Sequence, residues 1–263
     1  HGNANWNVNG IDVRISHFPQ NSKYTYFIFE EPRLKELYLG PNPKEEKKIA
    51  NQIRKKLEKK YGKDIVVLGT IGRFIKLQSE EYIKLICEVM KKYKNTIYLA
   101  CGDGCIHVKD LVLKYGGEEV LSRWIFPGQV NPHIYGWVID IWPDTFPLRQ
   151  GKSLGEFLAK GKCFVRIHKE FVQKQGKNLV LNNELKYILK HLSNEEKHLF
   201  LRNPQLLAPI FDNQKDYKEF LELFITNKNI RSLGSKLQKL RFRCLFSKQY
   251  NKDSVESFMK LIQ

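Results

Sequence analysis

One short segment of the sequence places two cations beside a glycine, in the order Gly72-Arg73-Phe74-Ile75-Lys76. A glycine lets the backbone turn tightly and approach a ligand closely, because it carries no Cβ. The guanidinium of Arg73 and the ammonium of Lys76 are groups that bind phosphate oxygens. The segment is therefore a candidate phosphate-binding loop, although each cation taken alone is equally compatible with a solvated surface charge.

A second segment, Gly151-Lys152-Ser153, places a glycine, a cation and a hydroxyl at the start of a predicted helix. The first N–H groups of a helix have no partner within it, and together with the helix dipole they attract anions. Ser153 could cap the helix or donate to a phosphate oxygen. Glu156 could complete a capping box with Ser153 or hold the two hydroxyls of a ribose. The glycine spacing is not that of a Walker A loop, so this segment alone does not identify a nucleotide site.

Alternating apolar and amphipathic segments predict the elements that would position these residues. We predict strands at 64–69, 96–100, 124–126, 138–141 and 163–167, and helices at 79–93, 108–115, 132–137 and 153–160. The alternation predicts an α/β fold with a Rossmann-like, doubly wound parallel sheet. The two candidate segments follow the first and fourth strands, and such sheets bind ligands beyond the carboxyl ends of their strands.

The predicted sheet lies between two regions of different pattern. The first sixty residues contain candidate short strands at 13–16 and 25–29 and lead into a charged helix at 44–61. After residue 169 we predict helices at 182–192, 194–201, 217–224 and 228–248, and no strand. We therefore divide the chain into an N-terminal segment (1–60), a Rossmann-like nucleotide-binding domain (61–170) and a helical C-terminal extension (171–263).

Composition narrows the class of protein. The chain has 263 residues, of which 42% are hydrophobic, and a formal net charge of +17. The hydrophobic content excludes general disorder, no apolar run reaches the roughly 20 residues of a membrane span, and the first ten residues lack the pattern of a secretory signal. The charge admits three classes of partner: nucleic acid, an anionic membrane surface or a phosphorylated small molecule.

The five cysteines have neither the even number of a disulfide framework nor the spacing of zinc ligands. Cys101 and Cys105 lie four residues apart, and no pair of histidines accompanies them. We therefore expect buried free thiols in a reducing, cytoplasmic environment, and we expect no bound metal.

Three motifs lie in order along the predicted domain. They are Arg73-Phe74-Ile75-Lys76-Leu77, then Phe126-Pro127-Gly128-Gln129-Val130, then the run from Asp140-Ile141-Trp142-Pro143-Asp144-Thr145-Phe146-Pro147 to Gly151-Lys152-Ser153-Leu154-Gly155-Glu156. Together they resemble the C-terminal, nucleotide-sugar-binding domain of GT-B glycosyltransferases over residues 68–165. The last motif is the most specific and is most similar to the branch with protein O-GlcNAc transferases and bacterial protein glucosyltransferases.

The resemblance implies a role for each candidate residue. Lys76 and Arg73 would stabilise the departing diphosphate, beside the turn at Gly72. The helix start would hold the phosphates through Gly151, Lys152 and Ser153. Glu156 would bind the ribose, and the backbone of Val130 would read the base. Tyr135 and His133 follow the base-reading turn, where they could stack on the base, contact the sugar or serve only as packing residues.

The resemblance also implies an activity. It is transfer of a hexosyl or N-acetylhexosaminyl group from a nucleoside diphosphate sugar, by preference UDP-linked, to a protein or glycan, with no metal cofactor. Glu156 stands where the more common retaining branch has two glutamates, so retention and inversion of the anomeric centre both stay open. A complete enzyme of this class needs an N-terminal acceptor domain, for which residues 1–60 are too short. We therefore expect a fragment that is inactive alone.

The basic segment at 228–248 supports an alternative function. Leu233, Leu237, Leu240 and Cys244 form an apolar stripe beneath a cationic face. Such a helix could bind an anionic membrane surface, which would place the protein peripherally at the inner membrane face. It could instead bind nucleic acid or simply cover the sheet. Nucleic acid is disfavoured, because the segment lacks interleaved aromatic residues and a recognisable motif.

Overall fold

The computed structural model describes residues 14–15, 25–26, 38–104, 106–169 and 182–245. Its first elements, β1 (Arg14–Ile15) and β2 (Thr25–Tyr26), form a parallel pair inside the two strands predicted near the N-terminus. The rest of those predicted strands lies outside the described residues, as do Cys105 and the end of the predicted basic helix.

A six-stranded parallel sheet forms the centre of the fold. Its strands are β3 (Val66–Ile71), β4 (Thr96–Cys101), β5 (Trp124–Gly128), β6 (Ile141–Pro143), β7 (Cys163–Ile167) and β8 (Ile210–Phe211). Their order is β5-β4-β3-β6-β7-β8, and every pairing is parallel. The chain moves outward from β3 to β5 and then returns to the other side of β3. The predicted Rossmann-like α/β fold with a helical C-terminal region is confirmed.

Helices connect the strands and follow them. They are α1 (Pro43–Tyr61), α2 (Glu80–Lys92), α3 (Ile106–Leu121), α4 (Pro132–Val138), α5 (Lys152–Ala159), α6 (Asn182–Lys190), α7 (Asn194–Arg202), α8 (Gln214–Thr226) and α9 (Lys228–Leu245). The start of α2 is set by Ser79, whose side chain accepts from the N–H of Tyr82 as the sequence predicts.

Three elements differ from the prediction. The fourth strand of the sequence, 138–141, is displaced to Ile141–Pro143, because Val138 stays in α4. The helix expected to end at Gly116-Gly117 continues to Leu121 across a kink at Gly117. The C-terminal region, predicted without strands, supplies the two-residue β8.

The apolar core occupies both faces of the sheet, because successive strand residues point to opposite sides. On one face, Val66 and Leu68 of β3 pack in a cluster with the apolar sides of α2, α3, α8 and α9. On the other face, Val67 packs in a second cluster with residues of α1, α4 and α5. The sheet is thus covered by helices on both sides, as a parallel sheet requires.

The apolar stripe of α9 belongs to this core. Leu233, Leu237, Leu240 and Cys244 are all buried, and α9 packs on α5, α6, α8 and β7. The stripe is therefore not free to lie in a lipid interface, and α9 covers the sheet. Contact with an anionic membrane stays a prediction that rests on the charges of this helix alone.

The described cysteines, Cys87, Cys101, Cys163 and Cys244, are buried free thiols. Among the described residues, no group of three or more His, Cys, Asp or Glu side chains is placed to hold a metal ion. None of the helices in the described part of the chain has the length and apolar character that crossing a bilayer needs.

Candidate functional site

The two candidate segments meet at the point where the strand order reverses. β3 and β6 are neighbours in the sheet, yet the chain leaves β3 toward β4 and leaves β6 toward β7. The chain thus runs in opposite directions after these two strands, and the crevice at such a switch point is where open α/β sheets bind ligands. The loop after β3 carries Gly72, Arg73 and Lys76, and the loop after β6 leads into α5 at Gly151.

Close backbone packing holds the first loop. The N–H of Gly72 donates to the carbonyl of Cys101 at 3.0 Å, and the N–H of Gly102 donates to the carbonyl of Gly128 at 2.9 Å. A Cβ on Gly102 would collide with the carbonyl oxygen of Gly72. The ends of β3, β4 and β5 are therefore joined into one rigid rim, and glycine is needed where the loops touch.

Lys76 ends the short 3₁₀ turn Phe74–Lys76 and reaches across to the second loop. Its Nζ donates to the carbonyl of Arg149 at 2.8 Å. Burial lowers the pKa of Lys76; Asp144 opposes this effect, while Arg73 and Arg166 add to it. The side chain of Arg73 itself is exposed. Two of the predicted cations thus lie at the crevice, one fixed by a hydrogen bond and one in solvent.

A buried ion pair shapes the loop after β6. Asp144 is fully buried, and its Oδ1 accepts from the N–H groups of Thr145 and Gln150 at 3.1 and 2.9 Å. Its Oδ2 accepts from Nε of Arg166 at 2.5 Å, and Arg166 also donates to the carbonyl of Gln150 at 2.6 Å. In the sequence, Asp144 is recognisable only as part of a motif, and Arg166 belongs to none of the three motifs.

Gln150 links the loop after β3 to the loop after β6. It was not among the candidate residues predicted from the sequence. It is 3% exposed, and its Oε1 accepts from the Ser153 hydroxyl at 3.5 Å. A Cβ on Gly72 would lie 2.8 Å from the same oxygen. Gln150 therefore fills the space between Gly72 and the start of α5, and Gly72 is small because Gln150 is there.

The capping box between Ser153 and Glu156, one of the two alternatives for Glu156, does not form. Gly151 is the N-cap residue, and the helix begins at Lys152 rather than Ser153. Ser153 therefore lies inside the first turn, where its hydroxyl bonds to Gln150. The side chain of Lys152 lies outside what the structure describes, but its backbone begins the helix as the phosphate-binding interpretation requires. Because Gly151 has no side chain, the N-cap residue does not cover the first N–H groups of α5.

Glu156 lies one turn further along α5 and faces a small cavity. The cavity is lined by Ile71, Pro132, Gly136, Trp142, Ser153, Glu156, Phe157 and Lys160. It thus joins the end of β3, the start of α4 and the first turns of α5. Ser153 and Glu156 therefore line the same small cavity.

The predicted base-reading residues lie at the start of α4. The side chain of Asn131 caps this helix by accepting from the N–H of His133 at 2.9 Å. The side chains of Val130 and Tyr135 are partly buried and pack on the second core cluster, and burial raises the pKa of Tyr135. A packing role therefore describes the Tyr135 side chain in this structure. The backbone of Val130 remains at the turn after β5.

This architecture defines a class: the chain has the fold of the GT-B glycosyltransferases. Three solved structures support this statement. HepE of Anabaena, in complex with UDP and glucose, is 14% identical, with a TM-score of 0.54 over 89% of this chain and 56% of that one. A mutant of the O-GlcNAc transferase of Thermobaculum terrenum is 12% identical, with a TM-score of 0.52 over 76% of this chain and 36% of that one.

The third structure is WaaG, a glycosyltransferase involved in lipopolysaccharide biosynthesis. It is 16% identical, with a TM-score of 0.51 over 91% of this chain and 56% of that one. The chain thus spans between about a third and just over half of the length of these structures, and at such identities the likeness concerns the fold. No family model and no curated protein sequence matches the chain.

Proposed function

We propose that this chain is the donor-binding half of a glycosyltransferase that takes its sugar from a nucleoside diphosphate, preferably UDP. The observation that carries the proposal is the contact between the two candidate phosphate-binding segments. Lys76 from the loop after β3 bonds to the carbonyl of Arg149 in the loop before α5. A single anion beyond the sheet would therefore meet an ammonium from one side and a helix start from the other.

The proposed chemistry is stabilisation of negative charge on the departing diphosphate. An ammonium has three donors, and Lys76 uses one of them on Arg149. The remaining donors, the exposed guanidinium of Arg73 and the N–H groups at Gly151 and Ser153 would face the phosphates. Donors that are fixed before the reaction supply a large share of catalysis in such transfers. Lys76 and Arg73 are thus the proposed catalytic residues.

Glu156 is the proposed ribose ligand. It lies beside Ser153 on the cavity side of α5, about one helical turn beyond the proposed phosphate position. A carboxylate accepts two hydrogen bonds from neighbouring hydroxyls, which suits a ribose diol. This spacing from phosphate to ribose is the reason for preferring a nucleotide over a simple phosphate.

The comparisons support the choice of donor, although they concern other proteins. HepE is described with UDP and glucose, and another similar structure is an O-GlcNAc transferase. On this basis we propose a UDP-linked hexose or N-acetylhexosamine as donor and a protein or glycan as acceptor. A cytoplasmic location, and peripheral contact of α9 with an anionic membrane, complete the proposal.

Titration calorimetry with UDP, GDP and ADP tests the proposal. We expect saturable binding of UDP and at least a tenfold loss of affinity in Lys76→Ala and in Glu156→Ala, since a hydrogen bond to a charged group contributes about 1.5–3 kcal/mol. Lys84→Ala and Glu118→Ala are matched controls, because both residues are exposed on helices away from the crevice. Absence of binding of all three nucleotides, or equal loss in the controls, would contradict the proposal.

A further inference from the structure

Lys160 is a charged side chain buried beside the proposed site. It follows the last residue of α5 and is only 3% exposed. Its side chain lines the same cavity as Ser153 and Glu156. Burying an ammonium is costly unless its donors are satisfied, so its place at this cavity calls for a function.

Two backbone carbonyls hold the ammonium. Nζ of Lys160 donates to the carbonyl of Glu156 and to that of Tyr38, each at 2.9 Å. The first contact braces the turn of α5 that carries Glu156. The second ties that turn to the segment before α1, more than a hundred residues earlier in the chain. One side chain therefore connects the proposed ribose ligand to a distant part of the chain.

The neighbouring helix leaves room for this side chain. A Cβ on Gly136 of α4 would lie 2.9 Å from Cδ of Lys160. The lysine stem thus passes directly over Gly136. A Cβ at position 136 would require the end of the Lys160 side chain to shift.

The groups around Lys160 include charges of both signs. Its own helix contributes Glu156, and α1 contributes Glu46, which is 6% exposed and whose Oε2 has no hydrogen-bond partner among the described residues. The Tyr38 ring belongs to the segment before α1, Gly136 of α4 adds no charge, and α9 brings Lys239 near Gly161. Burial lowers the pKa of Lys160 to about 8, and Glu156 and Glu46 partly oppose this effect.

We propose that Lys160 is a positioning residue of the nucleotide-sugar site, whose charged ammonium holds Glu156 and the backbone of Tyr38 in the arrangement that binds the donor. The inference rests on the proposed function, because it concerns the same site. With a pKa lowered to about 8 by burial, Lys160 becomes a neutral amine as the pH rises. The amine keeps two N–H donors but loses the charge that strengthens both hydrogen bonds, so donor affinity falls through this pH range.

The test compares UDP affinity near pH 7 and near pH 8.7 in two lysine variants. Loss of the proton from a group of pKa about 8 predicts weaker binding by the wild type at the higher pH, by up to about fivefold if only the ammonium form binds. In Lys160→Met, affinity is low at both pH values and nearly independent of pH. Lys162→Met is the matched control: Lys162 also donates to a carbonyl, that of Trp137 at 2.9 Å, but does not line the cavity. It should keep the wild-type profile.

A second pair of variants leaves Lys160 in place. Glu46→Gln removes a charge that raises the pKa of Lys160, so the loss of affinity should move to lower pH. Glu45→Gln changes an exposed neighbour on the same helix and should leave the pH dependence of UDP affinity unchanged. These variants decide the question even if Lys160→Met folds poorly.

The outcomes separate the inference from the proposed function. Wild-type binding whose pH profile is unchanged in both Lys160→Met and Glu46→Gln would overturn the role of Lys160 and leave the donor site standing. Absence of UDP binding at every pH would overturn both.

Discussion

The Oε1 atom of Gln150 lies directly against the Cα of Gly72, across the gap between the loops that follow β3 and β6. A Cβ at position 72 would be 2.8 Å from that oxygen. Because Gln150 is buried and its hydroxyl partner Ser153 is in α5, the two loops cannot move independently. The proposed diphosphate contacts therefore depend on the small size of Gly72.

Replacement of Gly72 or Gly102 by alanine should lower the unfolding free energy by unequal amounts. Gly72→Ala must displace a side chain and should cost about 1–3 kcal/mol of unfolding free energy, the range for overpacking. Gly102→Ala should cost more, because its Cβ meets backbone and its φ is +149°. Urea unfolding measures both. Gly62→Ala is the control for backbone strain alone, because Gly62 has φ +106° and open space around it. If Gly62→Ala lowered the unfolding free energy as much as Gly102→Ala does, the proposed collision of the Gly102 Cβ with the backbone would be refuted.

Lys76 and Arg73 should contribute unequally to donor binding. Lys76 is already held by Arg149, so it loses less side-chain freedom on binding than the exposed Arg73. We expect Lys76→Ala to weaken UDP binding more than Arg73→Ala does. In a complete enzyme, Lys76→Ala should cost on the order of 3 kcal/mol of transition-state stabilisation, the scale of one strong oxyanion donor. Near-normal transfer rates in that variant would exclude the catalytic role.

Asp144→Asn should strongly destabilise the fold. The carboxylate is fully buried and Arg166 is 20% exposed, and removing one partner of a buried ion pair costs about 3–5 kcal/mol. Glu45→Gln is the control, since Glu45 and its partner Lys48 are 60% and 69% exposed and such pairs contribute about 0–1 kcal/mol. Equal costs in urea unfolding would show that the Asp144 pair is no stronger than a surface pair.

Lys160 should make the unfolding free energy depend on pH. In the unfolded chain this lysine keeps its proton up to the ordinary lysine pKa of 10.5, whereas in the folded protein burial lowers that pKa to about 8. The unfolded state binds more protons between these values, so stability rises with pH there. Relative to that of Lys160→Met, the unfolding free energy of the wild type should rise by about 2 kcal/mol between about pH 7.5 and 9.5. Equal pH dependence of the two proteins would contradict this.

The buried thiols should resist alkylation. Burial raises the pKa of Cys87, Cys101 and Cys163 to about 12 in each case, and the thiolate is the reactive form. Iodoacetamide at pH 8 should leave these three residues unmodified in the native protein and label them in urea. Peptide mass spectrometry distinguishes the sites, and rapid native labelling of Cys101, at the edge of the site, would show that the rim opens.

The regular elements were largely predictable from the sequence, because periodicity and caps are local. Cys163–Ile167 was predicted to the residue, and Ser79 caps α2 as expected. The strand at Ile141–Pro143 was misplaced because Val138 has strand propensity but packs as the end of α4. β8 was missed because two residues after a proline give no period to detect.

The contacts that hold the candidate site in place were harder to predict, since they join residues far apart in the chain. Asp144 meets Arg166 across two adjacent strands, and Lys160 meets Tyr38 across most of the domain. In the sequence, Lys160 has the appearance of an ordinary basic residue at a helix end. A usable signal was its position between the apolar Ala159 and Gly161, one turn after Glu156.

β8 pairs with β7 at Arg166 and Ile167, and Arg166 is also the partner of Asp144. A chain shortened to the predicted nucleotide-binding domain, 61–170, would leave β7 as an open edge, and open edges invite pairing with other chains. The helical extension and the proposed donor site are thus connected through Arg166. In evolution, exchange of this half between proteins of the GT-B fold would have to include the C-terminal helices.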